Sequence, residues 1–416
     1  MTGRWEAGED VALQQMPREE APVEVAPSKR AATPREWMRQ NLFSTPFNGV
    51  VTVVVGGVTA WLAFGLVRWV FVTADWQIVK TNLRLYMIGG FPFEEAWRIW
   101  ASVYLLSLLG GLTYGVTGYR LGWAPRRAVL RTLLVGLVLG ALVYLLDGLT
   151  IWLLTLGVPV VVASGVIVGR RFRIPVRRAL VGGWLLAFPA VVLLLRAFDG
   201  VPPRRWGGFV LNLLVAAAAI FLSFPVGILL ALGRRSSLPA IRLSSVAVIE
   251  FVRGAPLVAW IIFGQFILPL MLPPQLGRPA SLVIQIVVFT FFSSAYVAEI
   301  VRGGLQSVHS GQYEAARALG LSTTRMMAFV VLPQALRNTI PAMISHFISL
   351  FKDTSLLAAL SIVELLRAAR LASAQLAFIG HQREALLAAG LIFWMVTFSM
   401  SRWSQRLERR LGVGER

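Results

Sequence analysis

The chain has 416 residues, 56% of them hydrophobic and 14% charged, with a mean hydropathy of +0.69. A soluble domain is about 45–50% apolar and about 25% charged, and single cores stop growing near roughly 250–300 residues, so one large soluble core is excluded. The net charge of +20, from 40 basic and 20 acidic residues, on so apolar a chain indicates basic cytoplasmic loops and needs no nucleic acid to explain it. Cysteine is absent, which excludes disulfides, thiolate nucleophiles and cysteine metal sites.

Residues 1–48 are polar and proline-dotted, with no apolar run of the signal-peptide kind, and predict a disordered cytoplasmic tail. Apolar stretches long enough to cross a bilayer follow at 49–70, 98–118, 128–148, 150–169, 179–197, 208–232, 251–273, 280–300, 334–352 and 385–404. Their apolarity is continuous and nowhere alternates. The expected fold class is therefore an all-α polytopic membrane protein of about ten transmembrane helices, not a barrel. Residues 74–97 are long enough for a structured outer loop, in which Trp76, Tyr86 and Phe91 suit an interfacial aromatic belt. Gly111-xxx-Gly115 and Gly136-xxx-Gly140 fit the small-xxx-small pattern and are expected to pack the upstream spans against the downstream ones.

Arginines orient the chain. Arg120, Arg126 and Arg127 follow the second span, and Arg170, Arg171, Arg173, Arg177 and Arg178 the fourth. Arg234, Arg235 and Arg242 follow the sixth span, Arg302, Arg317 and Arg325 the eighth, and Arg402, Arg406, Arg409 and Arg410 close the chain. All fall on one side if both termini are cytoplasmic, as positively charged inner loops require. Lys80, Arg84, Arg204 and Arg205 land on the opposite side and break the pattern.

After the eighth span the apolar pattern stops. Ser310 is placed to cap a short helix in which Tyr313, Ala316 and Leu319 share a face, and Gly320 to end it in the left-handed conformation. Ser322 or Thr323 can start another helix, and Leu332-Pro333 leads into the ninth span. This describes a short helix under the membrane between two spans.

Glu314-Ala315-Ala316, Gly320 and Leu332-Pro333 together resemble the EAA loop of ATP-binding-cassette (ABC) importer permeases, with Val330 where that pattern carries isoleucine. The resemblance implies that Tyr313, Glu314, Ala315, Ala316, Gly320, Leu332 and Pro333 form the segment that couples to the ATPase. Glu250-Phe-Val-Arg-Gly-Ala-Pro256, Lys352-Asp-Thr-Ser-Leu356 and Val363-Glu-Leu365 narrow the likeness to the polar-amino-acid uptake permeases (histidine/glutamine permease-like). Ala255 replaces the usual threonine there, and Trp260 stands where many members have glutamine. Phe91-Pro-Phe-Glu-Glu-Ala-Trp-Arg98 resembles the N-terminal extension of the general L-amino-acid branch.

The resemblance implies a type I ABC importer permease core of five spans at residues 208–405. A transmembrane extension of about five spans at 49–200 precedes it, and a cytoplasmic tail at 406–416 follows. The implied function is the permease subunit of an ATP-driven importer of amino acids in the bacterial cytoplasmic (inner) membrane. Its implied partners are a pair of ABC ATPase subunits, a second permease chain, identical or homologous, an extracytoplasmic amino-acid-binding protein and membrane lipids. ATP and magnesium would be used by the ATPase. None of Lys29, Lys80 and Lys352 follows a glycine, so a phosphate-binding loop is missing from this chain. His309, His346 and His381 form no metal-ligand pattern. The chain is not expected to be an enzyme.

Ionisable groups inside spans cost about 2.5–3.5 kcal/mol each, which makes them candidates for function. Glu250 and Arg253, three apart, share a helix face and are placed to pair. Arg253, Pro256, Ser293, Ser294, Glu299, His346, Asp353 and Thr354 are the candidates for the substrate pathway, with Asp353 and Lys352 suited to the ends of a zwitterion. The serines have a plainer use in helix packing or back-bonding to the i−4 carbonyl. A permease for another small polar solute, or an ion-coupled secondary transporter, is the alternative; the latter calls for inverted repeats and midplane carboxylates.

Overall fold

The computed structural model describes residues 33–117, 149–273 and 279–411, with single positions at 130, 134, 137, 275 and 277. It divides into two compact units at Ala74. In the first, α1 (Pro34–Asn41) begins on a Thr33–Glu36 capping box with proline in its first turn. Residues 34–41 are therefore helical, which corrects the expectation of a disordered tail reaching residue 48: a complete local start signal outweighs the polar composition. α2 (Pro46–Arg68) continues in a wider turn to Thr73 and buries no residue within its unit.

The second unit begins with two short helices, α3 (Gln77–Thr81) and α4 (Leu83–Ile88), before the long α5 (Ala96–Thr117), α6 (Leu149–Arg171) and α7 (Arg173–Arg196). α5 and α6 run parallel with glycines facing one another. A Cβ on Gly165 would lie 2.8 Å from the Leu108 carbonyl oxygen and 3.1 Å from the Gly111 Cα, and one on Gly115 would strike the Val166 carbonyl. Gly111 and Gly115 thus pack within the upstream half, against Gly165 and Gly169, and not against the downstream spans as expected. Gly136 and Gly140 lie outside the described residues. Small residues are what let two backbones approach where lipid supplies no hydrophobic drive.

The downstream half is built on α8 (Gly208–Arg234) and α12 (Ser281–Gln306), also parallel, with α15 (Leu332–Asp353) antiparallel to α12. Gly227 admits Val297, and Gly304 admits the Ala335 carbonyl, 2.6 Å from where a Cβ would sit. Between α8 and α12 the chain forms α9 (Pro239–Arg253), α10 (Leu257–Ile262) and α11 (Leu268–Met271). After α12 come α13 (Ser310–Ala318) and α14 (Thr323–Met326), and after α15 come α16 (Leu365–Ser373) and α17 (Gln382–Leu411). Among the described residues there is no strand, only an isolated parallel bridge between Gly208 and Glu364.

Eight described helices are long and apolar enough to span, or nine if the bent pair Pro239–Arg253 and Leu257–Met271 is one span. The expected span at 128–148 lies outside the described residues. The one expected at 251–273 is not a straight helix: the chain turns by 97° at Gly254-Ala255-Pro256. Proline disfavours helical backbone at the residue before it and lacks the N–H a continuous helix needs. The Trp260 indole bridges the bend, donating to the Val252 carbonyl at 3.0 Å.

At the end of this unit away from α13, α4 lies across the start of α8, and α3 packs against α17. Gly89 and Gly208 both have positive φ (60° and 61°), and a Cβ on Gly89 would lie 2.6 Å from the Gly207 Cα. Ile78 and Tyr86 are buried with Leu365, Ala369, Ala372, Phe378 and Ala385. The Tyr86 hydroxyl donates to the Ala385 carbonyl at 3.2 Å, and burial pushes its pKa up to about 12. Tyr86 and Phe91 are thus core residues and not members of an interfacial belt.

Candidate functional site

α13 is a nine-residue helix set between α12 and α15 by local signals at both ends. Its N-cap is His309, whose Nδ1 accepts from the Gly311 N–H at 3.1 Å; Ser310, expected to cap, is the first helical residue. At the other end Gly320 adopts φ 72°. The Leu321 N–H then reaches the Ala316 carbonyl at 3.1 Å and the Gly320 N–H the Arg317 carbonyl at 2.9 Å, the paired bonds that close a helix on a left-handed residue. Ser322, one of the two expected starts, caps α14.

Tyr313 and Ala316 face inward, in one apolar cluster with Leu305, Val331 and Ala335. The Tyr313 hydroxyl donates to the Leu305 carbonyl at 3.1 Å and accepts from Arg235 at 3.3 Å. Gln334 on α15 donates to Gln312 at 3.1 Å, and Asn338 to Ser307 at 2.9 Å. Glu314, Ala315, Arg317 and Ala318 are exposed. So is Leu319, at 81%, which corrects its expected place on the inner face: the helix ends one residue earlier, and the six-residue spacing no longer applies. Leu332 and Pro333 open α15.

Behind α13, Glu299 on α12 gathers arginines from three helices. Arg234 lies 2.6 Å away, Arg302 2.9 Å and Arg253 3.7 Å. Glu250 pairs with Arg234 at 3.1 Å. Glu250 and Arg253 therefore share a helix but not a partner, contrary to the expected pairing; Arg253 instead stands 5.7 Å from the centre of the Tyr296 ring. The cluster ties the ends of α8, α9 and α12 together close to the Arg235–Tyr313 contact.

Deeper in the bundle, Ser293 links three helices. Its hydroxyl donates to Ser223 on α8 at 3.0 Å and lies 2.9 Å from His346 Nε2 on α15, and the His346 ring stacks on Tyr296 with centroids 5.6 Å apart. Ser294 instead back-bonds the Thr290 carbonyl at 2.7 Å, the plainer use of a serine in a span. Thr354 is fully buried, with Asn212 donating to its hydroxyl at 3.0 Å and to Glu364 at 3.0 Å. Asn212 also accepts from the Leu365 N–H at 3.0 Å. Glu364 caps α16 through the Leu366 and Arg367 N–H groups at 2.9 and 2.7 Å, and burial pushes its carboxyl above the usual range. Neither Asn212 nor the cap on Glu364 was a sequence candidate. Asp353 is partly buried, and its side chain has no hydrogen bond or ion pair among the described residues. Pro256 sits at the 97° bend and caps α10. Among those residues no group of three or more metal-ligating side chains is gathered.

A bundle of lipid-compatible helices with buried polar links between them, and a short exposed helix in the loop joining two of them, defines a multi-pass membrane protein. Residues 223–413 match the family described as the binding-protein-dependent transport system inner membrane component. The chain is 33% identical over 425 residues to the glutamate/glutamine/aspartate/asparagine transport system permease protein BztC of Rhodobacter capsulatus, covering 90% of this chain and 93% of that one. It is 34% identical over 389 residues to the inner membrane amino-acid ABC transporter permease protein YhdY of Escherichia coli, covering 91% and 93%. A solved amino acid ABC transporter with histidines aligns at 30% identity over 49% of this chain and 92% of that chain, with a TM-score of 0.44. The chain belongs to this family of inner-membrane ABC permeases.

Proposed function

We propose that the chain is a membrane-spanning permease subunit of an ATP-driven amino-acid importer, with α13 as its contact to a separate ATPase. The observation that carries this reading is the two-faced build of α13. Tyr313 and Ala316 hold it to the bundle, while Glu314, Ala315, Ala318 and Leu319 stand free. The outward side, with Glu314, Ala315 and Ala318 on the helix and Leu319 just past its end, is open to a partner groove at the position the EAA-loop resemblance gives to the ATPase contact.

In this reading two ATPase subunits bind ATP and magnesium, close on one another and displace α13. The displacement passes through Tyr313 to Leu305 and Arg235, and the Glu299 cluster makes the ends of α8, α9 and α12 move together. A second permease chain, identical or homologous, supplies the other docking helix. Both termini are cytoplasmic, and a binding protein delivers the amino acid at the opposite face. Residues 208–405 form the transport core and 49–200 an extension of it. Of the pathway candidates Asp353 is the residue offered to the zwitterion, since Ser293, His346, Ser294 and Thr354 already have partners in the bundle.

The test uses the natural absence of cysteine. Ala315→Cys, in complex with an ATPase carrying single cysteines along its groove, should cross-link, and ATP should change the yield. An Ala315→Cys chain that never cross-links to the ATPase in an active complex would overturn the docking assignment.

A further inference from the structure

α1 sorts its residues by face. At about 100° per residue, Trp37, Met38, Asn41 and the following Leu42 fall on one side, with Arg35 and Arg39 along its edge and Glu36 and Gln40 opposite. Trp37 and Met38 are 52% and 44% exposed. The one polar group on their face is satisfied locally, since the Asn41 amide donates to the Trp37 carbonyl at 2.9 Å. Residues 29–45 carry four cations and one acid. That acid, Glu36, is turned back into the cap, where it accepts from the Thr33 N–H at 2.9 Å. Neither Arg35 nor Arg39 is in an ion pair among the described residues.

The joint to α2 fixes the level at which α1 sits. The Thr52 hydroxyl donates to the Leu42 carbonyl at 2.8 Å and the Asn48 amide to the Ser44 hydroxyl at 2.8 Å, and a Cβ on Gly49 would touch the Phe43 ring at 3.5 Å. Thr52 is six residues past the start of α2, so the end of α1 lies beside a point about 9 Å along that helix and not beyond its start. The span Pro46–Thr73 has 28 residues, about 40 Å of helix against a hydrocarbon core of about 30 Å. Carrying the surplus at the α1 end brings α1 level with the headgroup boundary. α2 buries no residue within its unit, so packing there does not set its depth or tilt. Interfacial tryptophan and arginine are the other means of setting them.

We propose that α1 is an in-plane anchor on the cytoplasmic leaflet, with Trp37, Met38 and Leu42 seated at the headgroup–acyl boundary and Arg35 and Arg39 on anionic lipid headgroups, and that it sets the depth of α2. The choice of leaflet rests on the cytoplasmic N-terminus proposed above; the two-faced seating does not. That leaflet carries the anionic surface potential, and each arginine near it strengthens binding about fivefold. An amphipathic helix with tryptophan on one face and arginine beside it is suited to lie in that plane.

The absence of cysteine from the chain allows single spin labels. Met38→Cys and Gln40→Cys are labelled in the intact complex, with cysteine-free partner subunits, in nanodiscs of phosphatidylglycerol and phosphatidylethanolamine. Collision with oxygen, which concentrates among acyl chains, is compared with collision with a water-soluble nickel chelate. The Met38 label should favour oxygen and the Gln40 label nickel. Arg35→Gln with Arg39→Gln should lower the seated-to-free ratio of α1 about 25-fold, read as a fall in the oxygen-to-nickel ratio at Met38, and phosphatidylcholine in place of phosphatidylglycerol should act in the same direction. Unfolding midpoints equal to the parent's show that each variant is folded. Equal accessibility at the two labels overturns the anchor. So does a Met38 label shielded from both reagents, which would put protein over this face, and so does a double-glutamine variant that seats as the parent does. Gln40→Cys separates the proposal from the orientation. Labelling by an impermeant maleimide only after permeabilisation upholds the cytoplasmic N-terminus; labelling in intact cells refutes it, and the leaflet with it, whatever the collision data show.

Discussion

Replacing Gly320 tests whether coupling depends on the backbone turn that ends α13. Gly320 sits at φ 72°, and a Cβ there meets nothing within 4 Å, so a substitution adds no clash. The penalty is conformational. An L-residue in the left-handed region costs about 1–2 kcal/mol, asparagine less, and a β-branched residue more. Since about 1.4 kcal/mol is tenfold in a population, Gly320→Ala should reduce the occupancy of the closing turn about tenfold, releasing the 3.1 Å and 2.9 Å bonds to the Ala316 and Arg317 carbonyls. The assay is amino acid taken up per ATP hydrolysed in proteoliposomes, with the unfolding midpoint as control. Coupling should fall in the order Gly320→Val, Gly320→Ala, Gly320→Asn, while the midpoint moves by no more than about 4 °C. Asparagine as damaging as valine would refute the conformational reasoning, since it would point to a side-chain clash with the partner.

Asn212→Leu orphans the Leu365 N–H and takes one bond each from the Thr354 hydroxyl and the Glu364 carboxylate, which keep their bonds to Phe351, Leu366 and Arg367; at about 1–3 kcal/mol for the orphaned group, the unfolding midpoint should drop, and an unmoved midpoint would contradict the network. Gly115→Leu drives a side chain into the Val166 carbonyl and should destabilise the α5–α6 pair, whereas Gly110→Leu, with open space around it, should not; equal thermal scans would dismiss the close packing. Burial holds the Glu364 carboxyl above its ordinary value of 4.5. The folded state thus keeps its proton longer than the unfolded one, and the stability from this group is present below that value and lost as pH rises through the raised pKa. Glu364→Gln should flatten that fall in a pH series of unfolding midpoints. Asp353→Asn should raise the KM for uptake without altering membrane insertion, and unchanged kinetics would leave Asp353 as a residue that merely ends its helix.

What could be read from the sequence divides by range. The α13 segment was legible because its signals are local: Gly320 ends the helix, Ser322 starts the next, and Leu332-Pro333 opens α15. The cap went to His309 because an imidazole nitrogen can accept from the N–H two residues on, a role that preference tables give to serine. Composition found the membrane class but ran straight through Gly254-Ala255-Pro256, where the proline was the available warning. The long-range polar links were out of reach. Asn212 meets Thr354 and Glu364 across 142 and 152 residues, and Glu250 chose Arg234 over the arginine one turn away. Gly111 and Gly115 were recognised as packing residues, but the pattern names no partner, and theirs was Gly165 and Gly169 on the next described helix.

Uptake into proteoliposomes holding this permease, its partner permease and the ATPase decides whether the chain works as an ATP-driven amino-acid importer. With the binding protein and labelled amino acid outside and ATP inside, the label should accumulate. Accumulation should persist when ionophores collapse all ion gradients and cease when the binding protein is omitted. Accumulation driven by an ion gradient without ATP would contradict it.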